Sequence, residues 1–332
     1  MLSTKLIGHE NTYNLILNNF INKSISNSII FYGNKGVGKA TFTYHLISTL
    51  FKKLDKNSGN DNNKLIYNDS HPNIKVIRKI YDEKLKKYKT NISIDQIRNI
   101  EKFVYQSSFS NLPKFILIDS ADELNNNSAN SLLKILEEPT KNTYFFLISH
   151  QISLILPTIR SRCFKFNFLN PNKDIFTEIL NNFDDGIEQS ELNLLYDLSN
   201  NSPGIAIDLY NQNITEIFDF ILFFFKQNES LSYELYEFSD KVNKFDNYEF
   251  KIYLSLIKFI INNVIKINLG INLNHLHNSY IIKSLHEISN FLDNKQLFNI
   301  LEYLNYNENS LYSLNLDKKI FNLNIYSSLR KI

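Results

Sequence analysis

The sequence predicts an α/β first half built on a parallel sheet and an all-α second half. Three observations carry this. Short apolar runs alternate with amphipathic helical patterns up to about residue 169. A glycine-rich turn separates the first apolar run from a helical pattern. After Asn170-Pro171 the strand-like runs stop, and helical spacing continues to the C-terminus. The 332 residues are 43% hydrophobic and 21% charged, which excludes wholesale disorder and provides a core for two or three domains. With 36 Lys+Arg against 34 Asp+Glu the net charge is +2, so any nucleic-acid contact must come from a local patch.

The first run, Ser28–Tyr32 (SIIFY), ends at Gly33, and a helix is expected from Lys39 to about Leu50. Residues 51–70 are rich in Asn, Asp and Lys and read as an exposed excursion stopped by His71-Pro72. Asn73–Ile77 (NIKVI) reads as a strand. Ser93 and Gln96 have capping-box spacing and open a helix with Ile97, Ile100 and Val104 on one face. Lys114–Asp119 (KFILID) is a buried strand with a carboxylate at its C-terminal end. Ala129, Leu132, Leu133 and Leu136 recur at helical spacing from Ser128 until Pro139 stops the helix. Thr143–Ser149 and Cys163–Phe168 complete the strands, and alternation of this kind implies a parallel sheet covered on both faces.

Helical patterns near 173–182, 188–198 and 204–211 form a small second unit, and a third helical domain follows from about Ile214. The expected organisation is therefore 1–169, 170–212 and 213–332. One cysteine, Cys163, excludes an internal disulfide and a Cys-based zinc site within the chain. The N-terminal ten residues lack a secretory h-region, and the most apolar run, Ile217–Phe225, contains Asp219 and is too short to span a bilayer. A cytoplasmic location without membrane contact is the expectation.

Gly33-Asn34-Lys35-Gly36-Val37-Gly38-Lys39-Ala40-Thr41 is close to the phosphate-loop pattern G-x-x-x-x-G-K-[ST]. Gly33, Gly36 and Gly38 let backbone N–H groups curl around phosphates, Lys39 supplies charge, and the helix N-terminus adds a favourable field. Ala40 stands where a magnesium-binding hydroxyl belongs, with Thr41 one position late, so magnesium is expected to be weakly held or absent. Asp119 ends its strand as a metal-orienting aspartate would. The next residue is Ser120, which cannot serve as a base at neutral pH; Asp122 and Glu123 are expected to lie displaced from the strand end. Arg162, in Ser161-Arg162-Cys163, is a candidate for insertion into a neighbour's site. Arg78, Lys79, Lys84, Lys86, Lys87 and Lys89 read as a solvated basic loop, and the aromatics of the third domain read as core or subunit interface.

The loop, FILIDSADELN (115–125), SANSLLKILEEPT (128–140), YFFLIS (144–149) and LPTIRSRC (156–163) together resemble the bacterial clamp loaders of the AAA+ family. Among these they are most similar to delta-prime subunits of DNA polymerase III, in order and spacing over roughly residues 5–211. The resemblance implies an AAA+ phosphate-loop domain, a helical lid and a C-terminal collar. It gives Arg162 the role of an arginine finger acting in trans, and Ser149 that of the sensor-1 polar residue. Gly33, Gly36, Val37, Gly38, Lys39, Ala40, Thr41, Asp119 and Ser149 would form the nucleotide site, for ATP or ADP. Gly204 stands where motor subunits carry a sensor-2 arginine. With Ala40 and Ser120 it implies a largely non-hydrolysing ring member of the polymerase III holoenzyme that helps load the sliding clamp on primed DNA. The implied partners are gamma/tau and delta subunits, with clamp and primed DNA reached through the complex. Many relatives carry a four-cysteine zinc module; residues 51–70 have no cysteine, so no zinc is expected. The competing readings are an active gamma/tau-like motor and a stand-alone nucleotide switch.

Overall fold

Five of the apolar runs pair into one sheet, and the three inner ones, Ser28–Tyr32, Lys114–Ile118 and Thr143–Ser149, are buried almost throughout and give their backbone groups to neighbours on either side. The computed structural model describes residues 6–54, 60–83, 87–109, 112–227, 233–313 and 316–329. Its strands are β1 (Ser28–Tyr32), β2 (Ile74–Ile77), β3 (Tyr81–Asp82), β4 (Lys87–Tyr88), β5 (Lys114–Ile118), β6 (Thr143–Ser149) and β7 (Phe164–Asn167). The sheet runs β2-β5-β6-β1-β7, all parallel, and β3 and β4 form a separate antiparallel hairpin. The chain order reverses around β1, and ligands of such sheets bind in the crevice beyond the carboxyl ends of the strands at that point.

The helices of this half are α1 (Glu10–Ile21), α2 (Lys39–Leu54), α3 (Asn60–Tyr67), α4 (Ile94–Tyr105), α5 (Asn126–Glu137), α6 (Pro157–Arg162) and α7 (Lys173–Phe183). Alternate residues of each strand feed opposite layers. Phe31, Phe115, Leu117, Phe146 and Ile148 pack with Phe20 of α1 and Phe42 and Leu46 of α2. Ile30, Ile116, Ile118, Phe145 and Leu147 pack with Ile97 and Ile100 of α4 and Leu132 and Leu136 of α5. α4 opens with the expected capping box, the Ser93 N–H donating to Gln96 Oε1 at 3.0 Å. It closes on Lys114, a buried lysine whose ammonium bonds the carbonyls of Phe103 (2.8 Å), Val104 (3.0 Å) and Gln106.

Some elements differ from the sequence reading. α2 continues to Leu54, and the stretch expected to be an exposed excursion contains α3, whose Ile66 is buried against the α2 layer. One apolar anchor per two turns makes α3 a weak periodic signal. Residues 55–59 and 84–86, with Lys84 and Lys86, lie outside the described residues. α5 begins earlier than expected, capped by Asn125, whose Oδ1 accepts from Ser128 N at 2.8 Å. α1 and the β3–β4 hairpin go beyond the elements assigned from the sequence.

Internal contacts divide the chain into two compact units, Met1–Ile179 and Leu180–Ile332. The second is helical: α8 (Gln189–Leu198), α9 (Pro203–Asn211), α10 (Ile214–Lys226), α11 (Tyr233–Asn243), α12 (Asn247–Asn268), α13 (Ser279–Ser289), α14 (Asn294–Ser313) and α15 (Lys318–Ser328). The boundary expected near residue 212 falls inside it. The buried Asp197 carboxylate, at the end of α8, accepts the N–H groups of His277 and Asn278, both at 2.8 Å from Oδ2. No helix among the described residues is long and apolar enough to cross a membrane.

Candidate nucleotide site and an exposed arginine

The phosphate loop hangs from the C-terminal end of β1. Gly33 has φ 146°, and a Cβ there would stand 2.1 Å from the Phe168 carbonyl oxygen, so no side chain fits. Gly36 and Gly38 also have positive φ, at 81° and 94°. These turns curl the backbone around the buried Lys39, whose Nζ donates to Gly33 O and Asn34 O, both at 2.6 Å. The first i→i−4 bond of α2 runs from Phe42 N to Gly38 O at 2.8 Å, which leaves the N–H groups of the preceding turn without intrahelical acceptors. Burial pulls the Lys39 pKa down to about 8, against the opposing pull of Asp122 and then Asp119. Ala40 packs against the sheet layer beneath α2, and the Thr43 hydroxyl is taken by Lys39 O at 2.8 Å.

Asp119 and Ser149 stand at the ends of β5 and β6. Ser149 is fully buried, and its Oγ has no hydrogen-bond partner among the described residues. Ser120 takes a left-handed conformation with φ 68°, and its Oγ lies 3.1 Å from His150 Nε2. Burial and the nearby Lys39 charge pull the His150 pKa down to about 4, so its ring is neutral at pH 7. Asp122 is displaced from the strand end, as the sequence reading expects. It sits in a 3₁₀ turn beyond the strand, yet its carboxylate accepts the His150 N–H at 3.2 Å and is the strongest charge acting on Lys39. Glu123 instead pairs with Lys79 at 2.7 Å.

Arg78 is not a free solvated cation. Its Nη2 donates to Asp69 Oδ2 at 2.8 Å and to the Tyr44 hydroxyl at 3.0 Å, and Tyr44 in turn bonds Asp69. The available sequence signal was register: Arg78 directly follows β2, which neighbours the strand ending at Asp119. A pocket of about 600 Å³ adjoins the loop, lined by Ile7, His9, Val37, Leu169, Pro171 and Ile175 among others. His9 Nε2 lies 3.1 Å from Val37 O, and its ring centroid lies 4.5 Å from that of Phe168. Nothing in the sequence pointed to this pocket, because its walls come from opposite ends of the unit.

Arg162 closes α6. Its Nη2 meets Glu137 Oε1 at 2.5 Å, its Nη1 donates to Thr158 O at 2.9 Å, and its side chain is 37% exposed. The adjoining Cys163 is buried, which pushes its thiol up to about 12 and leaves it unreactive.

A family model described as DNA polymerase III, delta subunit, matches residues 8–172. Through those residues the chain belongs to the DNA polymerase III delta-prime family. DNA polymerase III subunit delta' of Pseudomonas aeruginosa is 32% identical over 195 residues, 58% of each chain. Its counterpart in Haemophilus influenzae is 33% identical over 126 residues, 38% of each chain. The matched stretches thus span little more than half, or less, of these relatives' lengths. A gamma subunit-related protein of Thermotoga maritima aligns with 96% of this chain and 97% of its own at 17% identity, with a TM-score of 0.44. In this delta-prime family member the loop, Asp119 and Ser149 gather at the carboxyl ends of β1, β5 and β6, while Arg162 stands apart on α6.

Proposed function

We propose that this chain is a largely non-hydrolysing AAA+ clamp-loader subunit that holds ATP or ADP and offers Arg162 in trans to a neighbouring ATPase subunit. The observation that carries the reading is the exposed Arg162 guanidinium, whose one side-chain partner among the described residues is an exposed carboxylate that a nucleotide phosphate can displace. The Lys39 cradle and the adjoining pocket support nucleotide binding, with the pocket within the usual size range of small-molecule sites. Two features argue against hydrolysis by the chain itself. Ser120 stands where a water-polarising glutamate belongs, and its hydroxyl is engaged with His150. Gly204, second in α9, brings no cation.

Its partners would be gamma/tau and delta subunits, with sliding clamp and primed DNA met through the assembled complex and α10–α15 serving as collar. Reconstituting the loader with Arg162→Ala tests this. Clamp- and DNA-stimulated ATP hydrolysis should fall while the variant still assembles. Unchanged hydrolysis would remove Arg162 from the mechanism.

A further inference from the structure

A magnesium ion in a phosphate loop bridges phosphate oxygens to a protein hydroxyl and is oriented by the strand-end carboxylate. It also offsets that carboxylate's repulsion of the triphosphate. The residues here do not fit such an ion. Ala40 supplies a methyl group packed on the core, and the Thr43 hydroxyl is bonded to Lys39 O. Asp119 follows the strand that pairs with the one leading to Arg78.

The last paired residues of β2 and β5 are Ile77 and Ile118, and the Asp119 N–H continues the ladder to Ile77 O at 2.8 Å. Ile77 and Ile118 both point into the α4/α5 layer. Their successors, Arg78 and Asp119, therefore both turn to the α2 side, on strands about 4.8 Å apart. Tyr44 on α2 and Asp69 hold the guanidinium there. Burial pushes the Asp119 carboxyl upward in pKa, and Arg78 is the strongest influence opposing it, ahead of Lys39. In this space Arg78 and Lys39 act on Asp119 together with the carboxylates of Asp69 and Asp122, so a divalent ion would have to compete with two cations already in place.

We propose that Arg78 is a built-in counter-charge to Asp119 that takes the place of the divalent cation, so that this chain binds a nucleoside triphosphate without magnesium. The inference rests on the reading of the loop as a nucleotide site. With Asp119 neutralised from within the protein, the triphosphate meets Lys39 and the loop N–H groups without a metal to screen it.

The test is calorimetric titration of the full chain with ATP in EDTA and again with excess Mg²⁺. The dissociation constants should agree within about threefold. Arg78→Gln, checked for a cooperative melt, should weaken metal-free binding by about 10- to 100-fold, the range of one charged interaction. Wild-type binding that is lost in EDTA and restored by Mg²⁺ would overturn the inference while leaving the nucleotide site intact. Metal-free binding by Arg78→Gln equal to wild type would overturn it equally. No binding in either buffer by a folded chain would refute the nucleotide site itself, and the inference with it.

Discussion

The Arg162 guanidinium and the Glu137 carboxylate meet at 2.5 Å, joining the last residue of α6 to the last residue of α5. Both side chains are well exposed, at 37% and 49%, and pairs of that kind contribute only about 0–1 kcal/mol. The contact orients the arginine without committing it, which suits the insertion into a neighbour's site proposed above.

Arg162→Ala should accordingly leave thermal unfolding almost unchanged, within about 1 kcal/mol. If Arg162 acts as proposed, hydrolysis at the neighbouring site should drop by about 10³-fold or more, the loss seen when an arginine finger is removed. Single-turnover hydrolysis in the reconstituted loader, beside a melt of the isolated variant, reads both.

Nucleotide affinity should depend on pH through Lys39. Its pKa in the folded chain is about 8, below the ordinary lysine value, so the free protein loses this charge as pH rises through that point. Binding to a polyphosphate favours the charged form. Affinity should therefore weaken above about pH 8, with proton uptake on binding, and Lys39→Ala should abolish both effects. Calorimetry in buffers of different ionisation heat measures the uptake.

Acid should destabilise the first unit through His150. The folded-state pKa is about 4, below the unfolded value, so the unfolded chain binds the extra proton first as pH falls. Stability is then lost between the ordinary histidine range and pH 4, and His150→Gln should flatten that part of the profile. Urea midpoints taken across the window decide it.

Lys114 is a stability position, not a functional one. Lys114→Met keeps the apolar stem but strips the donors from the final carbonyls of α4. Leaving buried acceptors unpaired should cost about 1–3 kcal/mol, read as a lower melting midpoint with nucleotide binding unaffected.

The sheet was legible because each strand pairs an apolar run with a defined stop: Gly33 after SIIFY, Asp119 after FILI. The loop was legible for a related reason, since glycine spacing and a lysine report backbone geometry directly. What stayed hidden depends on register and long-range closure. The roles of Arg78 and Asp122 appear only once β2 lies beside β5 and the 3₁₀ turn folds under His150. α3 gives only a weak periodic signal because its polar residues outnumber the anchor Ile66.

The most direct test of the account is steady-state ATP hydrolysis by the purified full chain, with Mg²⁺, in the presence and absence of primed DNA. No turnover above background is expected under either condition, even where ATP binding is saturated. Sustained Mg²⁺-dependent turnover that Lys39→Ala abolishes would make the chain a motor in its own right and contradict its place as a non-hydrolysing donor of Arg162.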